Sequence, residues 1–427
     1  MRFLEKWSLF LLPVSLPLAQ MHIFIFAVPF YYPEILITAA AILHILGRRP
    51  FSAPPKRLAA GATLMFAGAV LSLCFNSPTI VGLGILKSWF FFPMLAAYLI
   101  HVELRDGIVQ EKLLFLWFCA DVAVAALSVM WAPMNHFTFD GRLNAVYPSP
   151  NHLAMLLEPG FLIGMYFLVK IARNTGLYCR RKNVLPIFFI VGTAILLVAI
   201  LSTKSTSAIG TIALCLLIGW TFMKFELHGA LRLVVSASAV LLVTTATVLV
   251  FSWSMLSSGT IRTSLASRVM IWNASVAMIA DHPVVGIGPG RFQSAYLAYQ
   301  DRFPRYLEWA VPHPHNIFLA FWLNTGLIGL FGFIIVVYST LKQLLVRLRR
   351  EVVDDSRYFM VFSLLFLLAV LIHGLTDTTY FKNEYAISFW IVIALVATKK
   401  TTPVLGLSEK MDSTSPRSPS VWGFHYR

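Results

Sequence analysis

The chain is 427 residues long, 58% hydrophobic and only 12% charged, with a mean hydropathy of +0.76, whereas soluble domains carry roughly 25% charged residues. This composition excludes a soluble globule and points to an integral membrane protein. The net charge of +15 is distributed as membrane topology requires, so nucleic acid is not an expected partner.

Apolar runs repeatedly reach the roughly 20 residues that span a hydrocarbon core and lack the alternation of a membrane strand. The expected fold is therefore an all-α integral membrane bundle of about twelve transmembrane helices. In chain order the runs cover residues 8–28, 31–47, 58–76, 80–100, 112–131, 151–171, 184–202, 206–223, 231–251, 315–341, 358–375 and 384–398. Pro13 and Pro17 interrupt the first run, and no small-residue cleavage site precedes the second, so the first reads as a retained helix. The chain divides into N-terminal helices at 1–251, a long, partly helical loop at 252–314, C-terminal helices at 315–400 and a Ser/Pro/Thr-rich tail at 401–427 that is expected to be disordered.

Charge sets the orientation. With both termini inside, the inner segments carry most of the Lys and Arg, as the positive-inside rule demands. Only Lys87, Arg142, Lys204, Arg262, Arg268, Arg291, Arg302, Arg305 and Lys382 remain outside. Cys74, Cys119, Cys179 and Cys215 show no CxxC spacing, so neither a disulfide framework nor a zinc site is expected. No phosphate-binding GxxxxGK[ST] sequence is present, and ATP is not the expected energy source.

Two outer loops are long enough to carry function, at 132–150 and 252–314. In the second, Val269, Trp272, Val276 and Ile279 recur at helical spacing, which predicts an amphipathic helix that lies along the interface or caps the bundle, with Arg268 at its start. Next comes GIGPGRF at 286–292, a tight turn ending in Arg291. Such a turn can aim N–H groups at a phosphate, but Arg291 stands where a dinucleotide fingerprint needs glycine. HPHN at 313–316 follows. Pro314 suits the first turn of a helix, which places His313, His315 and Asn316 at the outer lip, where an imidazole switches charge near neutral pH. Lys87 and Lys204 sit in or beside apolar sequence, where a charge costs about 2.5 to 3.5 kcal/mol and normally lines a polar cavity. Arg142 lies in the first outer loop. The outer acids are fewer: Asp140, Asp281, Asp301, Glu308, Asp377 and Glu384. Such a surface suits an anion, a phosphate or diphosphate on a membrane-embedded tail above all.

Four stretches carry a family resemblance: YPSPNHLAMLL at 147–157, STKSTSAIG at 202–210, SRVMIWNASVAMIADHPVVGIGPGRF at 267–292 and HPHNIFLAFWLNTGLIG at 313–329. On these the chain resembles the O-antigen ligase and polymerase superfamily of polytopic bacterial glycosyltransferases. The resemblance implies a bacterial inner-membrane enzyme with a periplasmic active site. There an O-antigen glycan leaves undecaprenyl diphosphate and joins the lipid A core, in lipopolysaccharide biosynthesis. It makes His315 the candidate base or acceptor-orienting group, with His313 and Asn316 beside it, and Arg268 and Arg291 the candidates for the diphosphate. Lys204, Lys87 and Arg142 are further cationic candidates. Many relatives carry arginine in the turn where this chain has Lys204, which supplies a point charge without the bidentate fork. No metal-ligand cluster shows in the spacing, so no metal or other cofactor is expected. Three alternatives remain: a polymerase of the same superfamily, for O-antigen or an exopolysaccharide, a protein-linked glycosyltransferase, whose known examples are commonly longer, and a transporter of a lipid-linked glycan. No outer arginine is followed eleven residues later by glycine, a spacing some polymerases show, which favours the ligase. The absence of an evident internal repeat counts against transport.

Overall fold

The structure is a computed structural model that describes residues 2–25, 28–48, 50–104, 107–132, 137–138, 140–173, 184–224, 264–299, 302–303, 311–350 and 355–398. The expected span at 231–251, the tail, and Cys179, Arg262, Asp301, Arg305 and Glu308 lie outside these residues.

Helices dominate. Among the described residues, seven are long and apolar enough to cross a membrane: Lys56–Phe75, Ile80–Glu103, Val109–Trp131, Pro150–Ala172, Val184–Ser202, Ile317–Arg349 and Ser356–His373. Three shorter apolar helices, Tyr32–Leu46, Thr206–Phe222 and Asn383–Ala397, accompany them. Each coincides with an expected run. The first half of the chain supplies α1 (Arg2–Ser15), α2 (Tyr32–Leu46), α3 (Lys56–Phe75), α4 (Ile80–Ile85), α5 (Phe92–Glu103), α6 (Gly107–Trp131), α7 (Pro150–Arg173), α8 (Val184–Ser202) and α9 (Thr206–Lys224). Beyond these come α10 (Ser264–Asp281), α11 (Phe292–Tyr299), α12 (Ile317–Arg350), α13 (Asp355–His373) and α14 (Asn383–Ala397).

The first expected span is corrected. α1 ends at Ser15, a short 3-10 turn covers Leu16–Leu18, and the chain then forms an antiparallel hairpin of β1 (His22–Ile25) and β2 (Val28–Tyr31). Pro17 sits in the first positions of that turn, where its fixed φ and missing N–H favour a new start over a continued helix. Lys87 secures the hairpin: its ammonium lies 2.7 Å from the Pro29 carbonyl and 2.6 Å from Glu34 Oε2, and 4.6 Å from the centre of the Phe30 ring. Among the described residues, no hydrogen bond or ion pair joins Lys87 to the histidines of HPHN.

α3 and α12 cross closely because small residues face each other. A Cβ on Gly68 would fall 2.4 Å from the Gly329 nitrogen, and one on Gly332 would fall 2.4 Å from the Met65 nitrogen. In a membrane, where burial between helices gains little over lipid, such backbone approach is a main source of association. α8, by contrast, exposes Ile187, Ile190 and Val198, the character of a lipid-facing wall.

The glycine-rich turn explains a break in α12. At Gly326 the backbone adopts φ 64° and ψ −174°, a region open essentially to glycine alone. The turn after α10 wedges into the break: Leu327 N–H donates to Val284 O (2.9 Å), and Ile287 and Gly288 N–H both donate to Leu323 O (2.9 and 3.2 Å). Gly290 N–H reaches Asn324 Oδ1 at 3.4 Å. The end of α3 clamps the same turn through Ser72 on Val285 O and Asn76 on Gly286 O. These N–H groups are therefore used inside the fold, and the turn is structural; the phosphate reading of its backbone is set aside.

The helix expected from Val269, Trp272, Val276 and Ile279 exists as α10, with a different packed face. Ile271, Ala274, Met278 and Ile279 are buried, while Val269 and Val276 are exposed. The segment is apolar on more than one side, so three-and-four spacing can be drawn along either.

Candidate active site

Ser149 caps the start of α7, its hydroxyl accepting from His152 N–H at 3.2 Å, and Pro150 takes the first helical position, where the missing N–H costs nothing. That start aims His152 at Glu384 in α14, and Asn151 at the segment between α13 and α14. HPHN reaches the same place. The Asn316 side chain caps α12, its Oδ1 accepting from Phe318 and Leu319 N–H (3.0 and 3.1 Å), and its amide donates to Leu375 O at 3.0 Å. Asn316 thus fixes the histidine segment against the segment carrying Asp377, and both ends of its side chain are occupied. His315 takes a left-handed backbone, φ 48°, a conformation costing a non-glycine residue roughly 1–2 kcal/mol. The Trp272 indole N–H donates to the His315 carbonyl at 3.2 Å and holds it there.

The result is a cluster. His313 Nε2 lies 3.4 Å and His315 Nδ1 3.3 Å from the same oxygen of Asp377, with the two imidazole centres 4.4 Å apart. Asp377 is 2% exposed, buried deeply enough that its charge needs these partners. Burial raises a carboxyl, but the contacts from both imidazoles outweigh it and hold Asp377 well below the ordinary carboxylate range, so it is ionised. Burial lowers the His313 imidazole, against the pull of Asp377, with the neighbouring His315 adding to the depression. His313 is therefore neutral at pH 7 and serves as a donor to the carboxylate.

A cationic group adjoins this cluster. Arg142 donates through Nη2 to Asn151 Oδ1 (2.8 Å) and through Nε to Thr203 O (2.9 Å), and Asn151 Nδ2 donates to Asp377 Oδ2 at 3.1 Å. Burial, opposed by Asp140 and reinforced by the like charge of Arg268, lowers the Arg142 guanidinium, which stays cationic at neutral pH. Arg268 also acts on the nearby His373. Lys204, at φ 49°, brings its ammonium to within 3.5 Å of where a Cβ on Gly141 would stand, beside Arg142. The structure thus joins His313, His315, Arg142, Arg268 and Lys204 at one end of the bundle. Lys87 stays with Glu34. Arg291 hydrogen-bonds the Asn76 carbonyl, at the junction of α3 with the glycine-rich turn.

Nothing local in the sequence singles out Asp377 or Asn151. Asp377 is one of several outer acids, and Asn151 lies inside a matching stretch; no local spacing connects either to His315, which the fold does. Buried histidine–carboxylate contacts escape sequence reasoning for the same reason: His152 with Glu384, His373 Nδ1 with Glu158 at 2.7 Å, and His44 Nδ1 with Glu5 at 2.9 Å. Among the described residues, two groups could ligate a metal, each with ligand atoms within 4.8 Å of one another: His313, His315 and Asp377, and the buried Glu5, His44 and Glu103. Sequence spacing shows neither. An apolar cavity of about 390 Å³ lies between α7, α9 and α13, lined by Leu162, Tyr166, Trp220 and Phe362 among others. It begins eleven residues, roughly 17 Å, down α7 from Asn151 and is separate from the polar site.

A family model described as O-antigen ligase matches residues 177–334, from just before α8 through the glycine-rich turn, HPHN and the first 18 residues of α12. No curated protein matches the chain.

Proposed function

Because the chain belongs to the O-antigen ligase superfamily, we propose that it is a glycosyltransferase that moves an O-antigen glycan from undecaprenyl diphosphate to the lipid A core. On this reading it sits in the bacterial inner membrane with the cluster facing the periplasm and both termini in the cytoplasm. The observation that carries the proposal is the placement of an ionised, doubly histidine-contacted Asp377 beside Arg142, Arg268 and Lys204.

In the step proposed, an acceptor hydroxyl attacks the anomeric carbon of the donor sugar while the bond from that carbon to the diphosphate oxygen breaks. His315 takes the hydroxyl proton, and Asp377 stabilises the imidazolium that forms. A base of this kind contributes typically 10² to 10⁴ in rate. Arg142, Arg268 and Lys204 neutralise the charge growing on the leaving diphosphate, and the proton passes from His315 to solvent or to that diphosphate. This chemistry needs no metal, so the site is assigned none despite its three possible ligands.

The test is transfer by purified protein supplied with the lipid-linked glycan, with and without lipid A core and with or without a chelator. Glycan on the core, dependent on added core and indifferent to the chelator, is expected. A ladder growing on the carrier without core would make the chain a polymerase, and loss of transfer with the chelator would give His313, His315 and Asp377 a metal.

A further inference from the structure

We propose that Asn151 is a positioning residue that binds the cationic group and the base into one unit, a role that rests on the proposed transferase function. Its amide is the middle of an unbroken chain: Arg142 Nη2 donates to Oδ1 at 2.8 Å, Nδ2 donates to Asp377 Oδ2 at 3.1 Å, and the other Asp377 oxygen meets His313 and His315 at 3.4 and 3.3 Å. Asparagine fits here because one end must accept and the other must donate. Aspartate has the same shape but only accepts once ionised, and leucine can do neither. By holding Oδ2, Asn151 leaves Oδ1 to the imidazoles. By holding Arg142, it makes the position of the diphosphate and the orientation of the base a single choice, since a shift in either pulls on the other.

The surroundings of Asp377 define what else acts on it. His313 and His315 face it from the segment before α12, and Lys382, before α14, acts on His313. Arg268 on α10 and the His373–Glu158 pair of α13 and α7 lie close by. Asn151 is the residue that contacts both Arg142 and Asp377 through its side-chain amide, at 2.8 and 3.1 Å.

The proposal gives Asn151→Asp a distinctive behaviour. At neutral pH it sets a carboxylate against Asp377, so it is expected to be worse than Asn151→Ala, although it is the better match in shape. As pH falls, the two carboxyls come to share a proton, as closely paired carboxyls do, and the shared proton restores a donor toward Asp377. The deficit of Asn151→Asp relative to wild type is therefore expected to shrink at least several-fold between pH 8 and pH 5.5, while that of Asn151→Ala stays constant.

Two readouts are taken on the full-length protein in detergent: the transfer rate with the lipid-linked glycan and core, and the thermal unfolding midpoint over the same pH range. The midpoint deficit of Asn151→Asp should also close as pH falls. Should Asn151→Asp fail to fold, Arg142→Gln and Asp377→Asn, singly and together, replace it, and their effects on rate are expected to be non-additive by about tenfold or more. A wild-type protein that transfers nothing overturns the functional reading, and the midpoint series still decides whether the amide joins the two charges. Equal, pH-independent deficits of the Asp and Ala variants, or additive effects in the cycle, overturn the proposal.

Discussion

Among individual side chains, Asp377 is the pivot. It is buried, ionised, and met on both oxygens by groups from the start of α7 and the segment before α12. Replacing it with asparagine removes the counter-charge of the imidazolium, so Asp377→Asn is expected to lower transfer by about 10² or more. The wild-type profile between pH 5 and 8 should show no carboxylate step, since the folded carboxyl lies well below the ordinary range. The consequence for stability has a definite sign. A depressed carboxyl stabilises the fold at any pH above its unfolded value, and that contribution is lost only as the pH falls through the folded one, below about pH 4. His313, His315, Arg268 and Lys204 are candidates in the sequence because each belongs to a stretch that carries the family resemblance, and Arg142 because it is a cation in an outer loop. Asp377 and Asn151 are not, because their meaning is a contact between residues more than two hundred positions apart.

Among the elements, the junction of the glycine-rich turn with the broken α12 governs the site. The part of α12 before the break begins at Ile317, directly after HPHN, so the break at Gly326 sets where the histidines stand. A Cβ at Gly326 would fall 2.3 Å from the Val284 carbonyl and force a residue into a glycine-only conformation. Gly326→Ala is expected to lower stability by about 2 kcal/mol or more and to reduce transfer even where protein is recovered, as thermal unfolding and rate together would show. Trp272→Phe keeps the ring and removes one hydrogen bond, to the His315 carbonyl. It is expected to lower kcat with little change in the donor KM, and an increase confined to KM would contradict the role given to Trp272. The sequence discloses α10 as a helix but not its packed face, since apolar residues lie along more than one side. It discloses the turn but not its purpose, because a break in a helix more than thirty residues away cannot be read from GIGPG alone.

Over the whole molecule, composition and the lengths of the apolar runs are enough to place most of the helices: ten expected spans reappear as the seven long and three shorter apolar helices. The first run departs, because prolines and a hairpin replace its second half. What composition does not show is the set of buried polar contacts, of which the ion pair of Lys87 with Glu34 is the clearest. Lys87 has the sequence signature of a functional cation, and the fold gives it a structural partner. Lys87→Ala is accordingly expected to reduce the unfolding midpoint and expression while leaving the donor KM of the recovered protein within about twofold, whereas Arg142→Ala should raise that KM or lower kcat by about tenfold or more. Whether one cluster of histidines, aspartate and cations performs glycan transfer is decided by a single-turnover measurement of glycan passing from undecaprenyl diphosphate to lipid A core, comparing wild type with His315→Gln. The variant is expected to bind the donor as wild type does and to transfer about 10² to 10⁴ times more slowly. Transfer by His315→Gln at the wild-type rate would refute that assignment.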